Sequence, residues 1–192
     1  IFEVYAFTDP DYRKQGYFRR LWEKAKITFP GKSLKGAAPV VRFPIDGSCK
    51  DALPVLLSIG AHLAEEETEM ECELEDKTTP DSRYRFLESK PSPEGFRAYQ
   101  VFRPEDKKPA FRCFVTPLKD NKAYLHRIAT RKDLIGQGVG SELFPQFLGL
   151  LKKLGYKKAV MQVSASNTPA VRLYTENGFR KTTSLRYYEL LL

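Results

Sequence analysis

The sequence has few of the residues that cross-link a small fold or bind metal ions. Of its 192 residues, three are cysteine and two are histidine, and Cys49, Cys72 and Cys113 lie far apart. An odd number of widely spaced cysteines argues against a disulfide framework and against a zinc site. A reducing, cytoplasmic setting is therefore expected.

Long apolar runs are also missing. No stretch approaches 18 consecutive apolar residues, so no helix is expected to span a membrane. The opening segment IFEVYAF is too short and too polar for a signal peptide, and its lack of an initiator methionine suggests a fragment or a trimmed chain. An apolar fraction of 42% excludes wholesale disorder, and a length of 192 residues fits one domain or two small ones.

The charge is unbalanced but not concentrated. With 32 Lys and Arg against 24 Asp and Glu, the net charge of +8 suits nucleic acid, a membrane surface or a phosphorylated cofactor. The basic residues are scattered and form no stripe with interleaved aromatics, which argues against nucleic acid. Seven glutamates cluster between Glu65 and Glu75, where the alternation of Met70, Cys72 and Leu74 predicts a strand with one buried side.

In the first part of the chain, apolar spacing predicts alternating strands and helices. A strand over residues 2–7 is followed by a helix, and Pro30-Gly31 ends this unit. The buried face of that helix is predicted from residues at helical spacing: Phe18, Leu21, Trp22 and Ala25. A strand over 38–43 and a helix between Asp51 and Gly60 come next.

The second part begins with strands alone. Four strand-like runs, RYRFLE, FRAYQVF, AFRCFVTPL and KAYLHRIATR, follow one another with no helix between them. A glycine-rich turn at 136–141 then leads into a helix, a buried strand at 157–166 and a helix capped by Thr168. Gly178 ends that helix, and LRYYELLL forms the last strand.

The order strand, glycine turn, helix, strand, helix, glycine, strand therefore occurs twice. Gly16 in the first half matches Gly138 in the second, and Gly60 matches Gly178. The same alignment pairs four more positions: Thr8 with Thr130, Asp11 with Asp133, Gln15 with Gln137, and Leu21 with Leu143. We expect an internal duplication with one copy at 1–76, a linker at 77–81 and a second copy at 82–192.

Gly136, Gly138 and Gly140 stand between a strand and a helix, where small residues let a ligand approach the backbone. The unpaired N–H groups of the helix start can bind phosphate there, although a plain surface turn is the alternative. A dinucleotide-binding turn would need glycine at Ser141 and an acidic residue after the next strand, which reads AVMQVSA. A nucleoside-triphosphate loop would need a Gly-Lys-Ser/Thr ending, which is absent.

Residues 123–180 resemble the cofactor half of the GCN5-related N-acetyltransferase superfamily. Its turn pattern Arg/Gln-x-x-Gly-x-Gly/Ala is occupied by residues 135–140, with Ile135 in place of the usual Arg or Gln. Its second signature is intact at six positions: Asn167, Ala170, Leu173, Tyr174, Gly178 and Phe179.

The resemblance implies an α/β acyl-CoA N-acyltransferase fold with a mixed central sheet flanked by helices, here duplicated. The first half resembles a degenerate copy, with Phe18 where Gly or Ala is preferred. Cys49 and Leu56 stand at the positions of Asn167 and Tyr174, and a leucine cannot donate a proton. One cofactor is therefore expected per chain, at the second half.

The implied activity is transfer of an acetyl group from acetyl-CoA to a primary amine, small molecule or peptide, by direct attack. Tyr174 would protonate the leaving thiolate, and His126 is the candidate base. The implied cofactor contacts are Ile128, Thr130, Ile135, Gly136, Gln137, Gly138, Val139, Gly140, Ser141 and Asn167. A non-catalytic acyl-CoA sensor is the alternative, a homodimer stays open, and neither the acceptor nor the oligomeric state can be derived from the sequence.

Overall fold

The strands and helices follow one another along the chain in the predicted order. The computed structural model describes residues 1–29 and 38–192, so the predicted end of the first unit at Pro30-Gly31 lies outside the described residues. The strands are β1 (Phe2–Glu3), β2 (Val40–Asp46), β3 (His62–Glu73), β4 (Arg85–Glu88), β5 (Arg97–Phe102), β6 (Phe111–Leu118), β7 (Lys122–Thr130), β8 (Lys158–Ser164) and β9 (Arg180–Leu191). The helices are α1 (Tyr17–Lys26), α2 (Ala52–Ser58), α3 (Val139–Lys153) and α4 (Thr168–Glu176).

Helix α4 begins one residue earlier than predicted. Asn167, and not Thr168, is its N-cap, and the Asn167 Oδ1 accepts a hydrogen bond from the Ala170 N–H at 3.3 Å. This bond satisfies one of the N–H groups that every helix start leaves unpaired. Pro169 then lies in the first turn, where its missing N–H costs nothing. In the described part of the chain, no helix is both long and apolar enough to cross a membrane.

The chain packs as two compact units, one of residues 1–67 with 183–192 and one of residues 68–182. This division differs from the predicted copies at 1–76 and 82–192, because the last ten residues join the first unit. The predicted linker at 77–81 is part of the second unit, where the Lys77 Nζ donates to the Asn177 carbonyl oxygen at 2.6 Å. The boundaries between the two units lie within β3, after Glu67, and within β9, after Thr182.

In the first unit, the strand order is β1-β2-β9-β3. β1 runs parallel to β2, and β9 pairs antiparallel with β2 from Val40↔Leu191 to Asp46↔Leu185. Helices α1 and α2 contribute to one small core, which consists of Trp22, Val41, Phe43, Leu56, Ala61 and Tyr188.

Two expectations for the first unit are wrong. The strand predicted over 2–7 is limited to Phe2–Glu3, and Phe7 is 92% exposed. Leu21 and Ala25, both predicted on the buried face of α1, are exposed, Leu21 by 68%. Trp22, predicted on the same face, is buried, and its ring centroid lies 5.4 Å from that of Phe43.

The second unit is built on the strand order β9-β3-β8-β7-β6-β5-β4, with only the ends of β9 and β3 belonging to it. Strands β4 to β7 form an antiparallel meander, and β7 and β8 are parallel, so the predicted α/β class with a mixed sheet is confirmed. Helix α3 covers one face through five buried side chains: Leu143, Phe144, Phe147, Leu148 and Leu151.

The alternation predicted for β3 is confirmed. Met70, Cys72 and Leu74 are buried in the core that α3 covers. The intervening glutamates lie on the opposite, open face, where Glu71 and Glu73 pair with Lys158. Residues of even and odd number on this strand therefore face different environments.

Gly149 lies in the middle of α3, where the 78–80 segment crosses the helix closely. A Cβ atom at Gly149 would lie 2.1 Å from the Thr78 carbonyl oxygen and 3.2 Å from the Pro80 Cδ. Because the nearest of these atoms belongs to the backbone, the clash cannot be relieved by a side-chain rotation. Glycine is required at this position by packing, although it lowers the helix propensity of α3.

We expect Gly149→Ala to lower the free energy of unfolding by about 1–3 kcal/mol or more, because it forces the 78–80 segment away from α3. In a helix free of this contact, the same substitution would stabilise by about 1 kcal/mol. Urea denaturation followed by circular dichroism measures the change. Lys153→Ala, at the exposed end of α3, is the control, and a stabilised Gly149→Ala variant would contradict the packing argument.

Candidate functional site

The glycine-rich turn between β7 and α3 has a backbone that only glycine adopts readily. Gly136 and Gly138 have φ of +80° and +77°, in the left-handed region. The Gln137 side chain braces the turn, since its Nε2 donates to the Asp133 carbonyl oxygen at 2.7 Å. Ile135 is 66% exposed, and its N–H makes a long 3.4 Å bond to the Lys132 carbonyl oxygen.

Helix α3 begins without a side-chain cap. Its N-cap is Gly138, which has no side chain to offer, and the first bond back to it comes from the Glu142 N–H at 3.0 Å. Among the described residues, the N–H groups of Val139, Gly140 and Ser141 therefore have no backbone acceptor. Three adjacent unpaired N–H groups at the positive end of a helix dipole favour an anion such as a phosphate.

Gly140 has an ordinary helical backbone, unlike Gly138. A Cβ atom there would lie 3.4 Å from the Thr130 Oγ1 and 3.7 Å from the Leu173 Cδ2, which are normal contact distances. The protein alone would therefore accept alanine at this position. A need for glycine at 140 would come from a ligand that approaches the backbone closely.

Strands β7 and β8 are paired for only part of their length. Their register runs from Lys122↔Lys158 to Leu125↔Met161, although β7 continues to Thr130 and β8 to Ser164. Parallel strands that stop pairing leave backbone N–H and C=O groups facing each other without partners. Such a gap can accept an extended ligand that carries amide groups, in the manner of an added strand.

A β-bulge in β7 lies at the same level. On β6, Phe114 pairs with His126 and Arg112 with Ala129, so two residues of β7, Arg127 and Ile128, oppose one of β6. Arg127 has φ of +51°. After a bulge of this kind, the side chains that follow point to the face opposite to the one that regular alternation would give. Ile128 accordingly packs against the core on the α3 side.

Tyr174 reaches this region from α4. Its ring is 7% exposed and packs on Phe144 and Phe179, with ring centroids 5.3 Å and 5.9 Å apart. Burial raises the pKa of Tyr174 to about 12, so the phenol stays protonated. The hydroxyl has no hydrogen-bond partner among the described residues and is not one of their fully buried, unsatisfied polar atoms. The proton is therefore available to a ligand.

His126 lies on the open face of the sheet, opposite to the side of α3. Its Nε2 is 3.3 Å from the Thr116 Oγ1, and its ring stacks on Tyr124 at 5.7 Å. Partial desolvation, and then the charge of Arg127, hold the pKa of His126 below its ordinary value of 6.5. The imidazole is therefore neutral at pH 7 and can accept a proton.

The structure brings together most of the residues predicted for the site. The turn 136–141, Thr130 and the β7 bulge adjoin the gap between β7 and β8. Asn167 is only partly available to a ligand. Its Oδ1 accepts the capping hydrogen bond of α4, which leaves its amide nitrogen for a ligand.

The bulge at Arg127 was not predicted from the sequence. For four aromatic residues of β5 and β6, the sequence favours core packing, with the lining of an acceptor pocket as the alternative: Tyr99, Phe102, Phe111 and Phe114. Phe114 is instead half-buried on the face of His126, while Tyr99, Phe102 and Phe111 are buried. The signal in the sequence was the alternation of β6, in which Phe114 is out of phase with Phe111.

The first unit holds a turn of similar geometry. Gly16 is the N-cap of α1 with φ of +79°, and the Gln15 Nε2 donates to the Asp11 carbonyl oxygen at 3.0 Å, as Gln137 does to Asp133. Phe18 occupies the position that corresponds to Gly140. A bulky side chain therefore stands where the second unit leaves the backbone uncovered.

Comparison with known proteins agrees with this geometry. The Acetyltransferase (GNAT) family profile matches residues 62–179, more than half of the chain. The ribosomal protein bS18-alanine N-acetyltransferases of Escherichia coli K12 and Shigella flexneri are each 34% identical over 74 residues, 38% of this chain and 50% of theirs. The chain therefore aligns with half the length of these curated relatives.

Solved structures share the fold at low identity. A GCN5-related N-acetyltransferase from Sphaerobacter thermophilus has a TM-score of 0.71 at 15% identity, over 98% of this chain and 72% of that one. A tandem GNAT protein from the clavulanic acid biosynthesis pathway has a TM-score of 0.61 at 14% identity, over 96% and 73%. With the uncapped turn and the unpaired strands inside the matched region, the chain belongs to the GNAT family of acetyltransferases.

Proposed function

We propose that the chain is an acetyl-CoA-dependent N-acetyltransferase that moves an acetyl group to a primary amine by direct attack. The observation that carries the proposal is the gap between β7 and β8, which runs from the uncapped start of α3 to the bulge at Arg127. In this proposal the α3 start would bind the phosphates, the open edge of β7 would bind the amide groups, and His126 and Tyr174 would transfer protons. The family relatives that are N-acetyltransferases support the same activity.

The residues present fit acetyl-CoA. The unpaired N–H groups of Val139, Gly140 and Ser141 would hold the pyrophosphate, with Gly136 and Gly138 shaping the turn. The backbone of β7 around Ile128 and Thr130 would pair with the pantetheine amides. Three further residues would add contacts: Ile135 through its weakly bonded N–H, Gln137 by bracing the turn, and Asn167 through its amide nitrogen.

His126 and Tyr174 would act from opposite sides of the sheet. The amine nitrogen bonds to the acetyl carbon, the carbon–sulfur bond breaks, and His126 takes the proton that the nitrogen loses. Because the phenol has a pKa of about 12 and thiols have pKa values near 8.5, complete proton transfer to the thiolate is uphill. Tyr174 therefore assists mainly as a hydrogen-bond donor to the departing sulfur.

Direct attack is favoured over a covalent acetyl-enzyme. Cys72 and Cys113 are buried, and burial raises the pKa of each thiol, so neither is a thiolate at neutral pH. The thiolate is the nucleophilic form of cysteine. The second unit therefore offers no activated sulfur to carry the acetyl group.

We also propose that the chain is a tandem duplication whose first copy has lost its cofactor site. The paired turns at Gly16 and Gly138, with the same glutamine bracing bond, support a common origin. Phe18, Cys49 and Leu56 stand where the second copy has Gly140, Asn167 and Tyr174. One acetyl-CoA would bind per chain, at the second unit, in a reducing compartment.

We expect the His126 imidazole to titrate below pH 6.5 in an NMR titration, and Arg127→Asn to raise that pKa because a nearby cation is removed. Asparagine tolerates the positive φ of position 127. A pKa below the unfolded value means that stability falls as pH drops from 6.5 through the folded pKa. His126→Gln assigns the signal and should lack that loss; a lowered pKa in Arg127→Asn would contradict the electrostatic argument.

Gly140→Ala should weaken acetyl-CoA binding by about tenfold or more, since its methyl group would hold the pyrophosphate off the backbone. The melting temperature without ligand should stay the same or rise, because alanine favours a helix and meets only ordinary contacts. Thermal shift against acetyl-CoA concentration measures both effects. Lys153→Ala is the control, and an unchanged ligand shift in Gly140→Ala would remove the turn from the site.

Tyr174→Phe should lower kcat by about 10²-fold while acetyl-CoA affinity changes little, because the ring stays and only the hydroxyl is lost. Thiol release with a panel of amines, including a peptide that begins with alanine, provides the assay. The loss should shrink for acyl donors with better leaving groups. Full turnover in a folded Tyr174→Phe variant would show that Tyr174 is a packing residue. If the parent protein binds acetyl-CoA but acetylates no amine, the non-catalytic acyl-CoA sensor would be favoured.

A further inference from the structure

Three aromatic rings, those of Phe96, Phe114 and Tyr124, surround His126 on the open face of the second unit. Phe96 lies 5.3 Å from Phe114 and 5.6 Å from His126, measured between ring centroids. Phe114 lies 5.7 Å from His126, and Tyr124 stacks on His126 with planes 18° apart. All four side chains are half-buried, so each ring keeps accessible surface. We refer to these four residues as the ring platform.

The ring platform adjoins the gap. His126 is the first residue of β7 beyond the last pair with β8, and it immediately precedes the bulge at Arg127. Phe114 is its direct cross-strand partner. A molecule that rests on these rings is therefore next to the proposed base and to the unpaired edge of β7.

The charges around the ring platform are mainly positive. The Arg127 guanidinium lies 5.5 Å from the centre of the Phe114 ring, and the alternation of β6 puts the exposed Arg112 on the same face. Glu94 is the acidic neighbour of Arg127. Two arginines against one glutamate favour an anionic or neutral ligand over a polycation.

The glutamate-rich strand β3 is separated from β7 by β8, so its carboxylates lie one strand farther from the ring platform than Arg112 and Arg127. Lys158 pairs with Glu71 at 3.3 Å and with Glu73 at 2.8 Å. The Thr182 hydroxyl donates to Glu69 at 3.1 Å. The carboxylates of Glu69, Glu71 and Glu73 therefore also make contacts within the protein.

We propose that the ring platform binds the acceptor and selects a primary amine joined by a short link to a flat aromatic group, with Arg127 favouring a carboxylate on the same molecule. The inference rests on the proposed acetyl transfer. The platform rings would stack on the acceptor ring, which orients the amine toward His126. A free aromatic amino acid has both the ring and the carboxylate, whereas a polyamine has neither.

Matched amines test the ring. We expect kcat/KM for 2-phenylethylamine to exceed that for 2-cyclohexylethylamine by about threefold to tenfold, because only the first is flat. Phenylalanine should have a lower KM than phenylalaninamide, and Arg127→Asn should abolish that difference. Spermidine should be the poorest acceptor. A preference for spermidine, or equal rates with the flat and saturated amines, would overturn the proposal.

Phe114→Leu keeps an apolar side chain and removes the ring. It should raise KM for 2-phenylethylamine by about threefold to tenfold and leave KM for 2-cyclohexylethylamine and acetyl-CoA affinity nearly unchanged. Phe86→Leu, a half-buried phenylalanine of β4 that packs against the core, is the matched control and should not change the preference. Equal increases in KM for both amines in the Phe114→Leu variant would assign Phe114 a structural role and contradict the proposed platform.

NMR separates failure of this inference from failure of the proposed function. If the parent protein binds acetyl-CoA but acetylates no amine, the transfer proposal fails, while the platform is still tested by binding. Phenylalanine should then shift the His126 ring signals and spermidine should not. Shifts caused by spermidine but not by phenylalanine would refute the platform independently of any activity.

Discussion

The site depends on the point at which two parallel strands stop pairing. Beyond Leu125 and Met161, β7 and β8 no longer bond to each other, yet each continues as a strand. Backbone groups left open in this way are costly unless water or a ligand satisfies them. The bulge at Arg127 interrupts the regular alternation of β7 at the same level. The start of the gap, the proposed base His126 and the change of face therefore lie within three residues of one another.

Local features of the sequence were sufficient to predict most elements. Strong periodicity in β3, β6 and α3, with glycines at the element ends, fixed their types because side-chain burial follows the backbone period. The bulge was not predictable, since a single extra residue leaves no composition signal and Arg127 is not a typical residue at positive φ. The α4 cap was misplaced by one residue because Asn167 and Thr168 can both cap a helix.

The division of the chain was harder to predict, because it depends on pairing between strands distant in sequence. Residues 183–192, which include most of β9, belong to the first unit, where β9 pairs with β2. No residue pattern within β9 identifies β2 as its partner, because the pairing joins segments that are far apart in sequence. A boundary placed at the turn-forming residues near 77–81 therefore does not account for residues 183–192, because their place in the first unit depends on tertiary pairing.

The two glycine turns show that glycine serves two separate purposes in this chain. Gly16 and Gly138 share a positive φ, which the turn itself requires whether or not a ligand binds. Gly140 and Phe18 share an ordinary helical backbone, so the choice between them is not conformational. This difference fits the proposed duplication, in which the first copy would have kept the turn and lost the cofactor site. The positive φ at Gly16 and Gly138 serves the turn itself, whereas the open backbone at Gly140 would serve the proposed ligand.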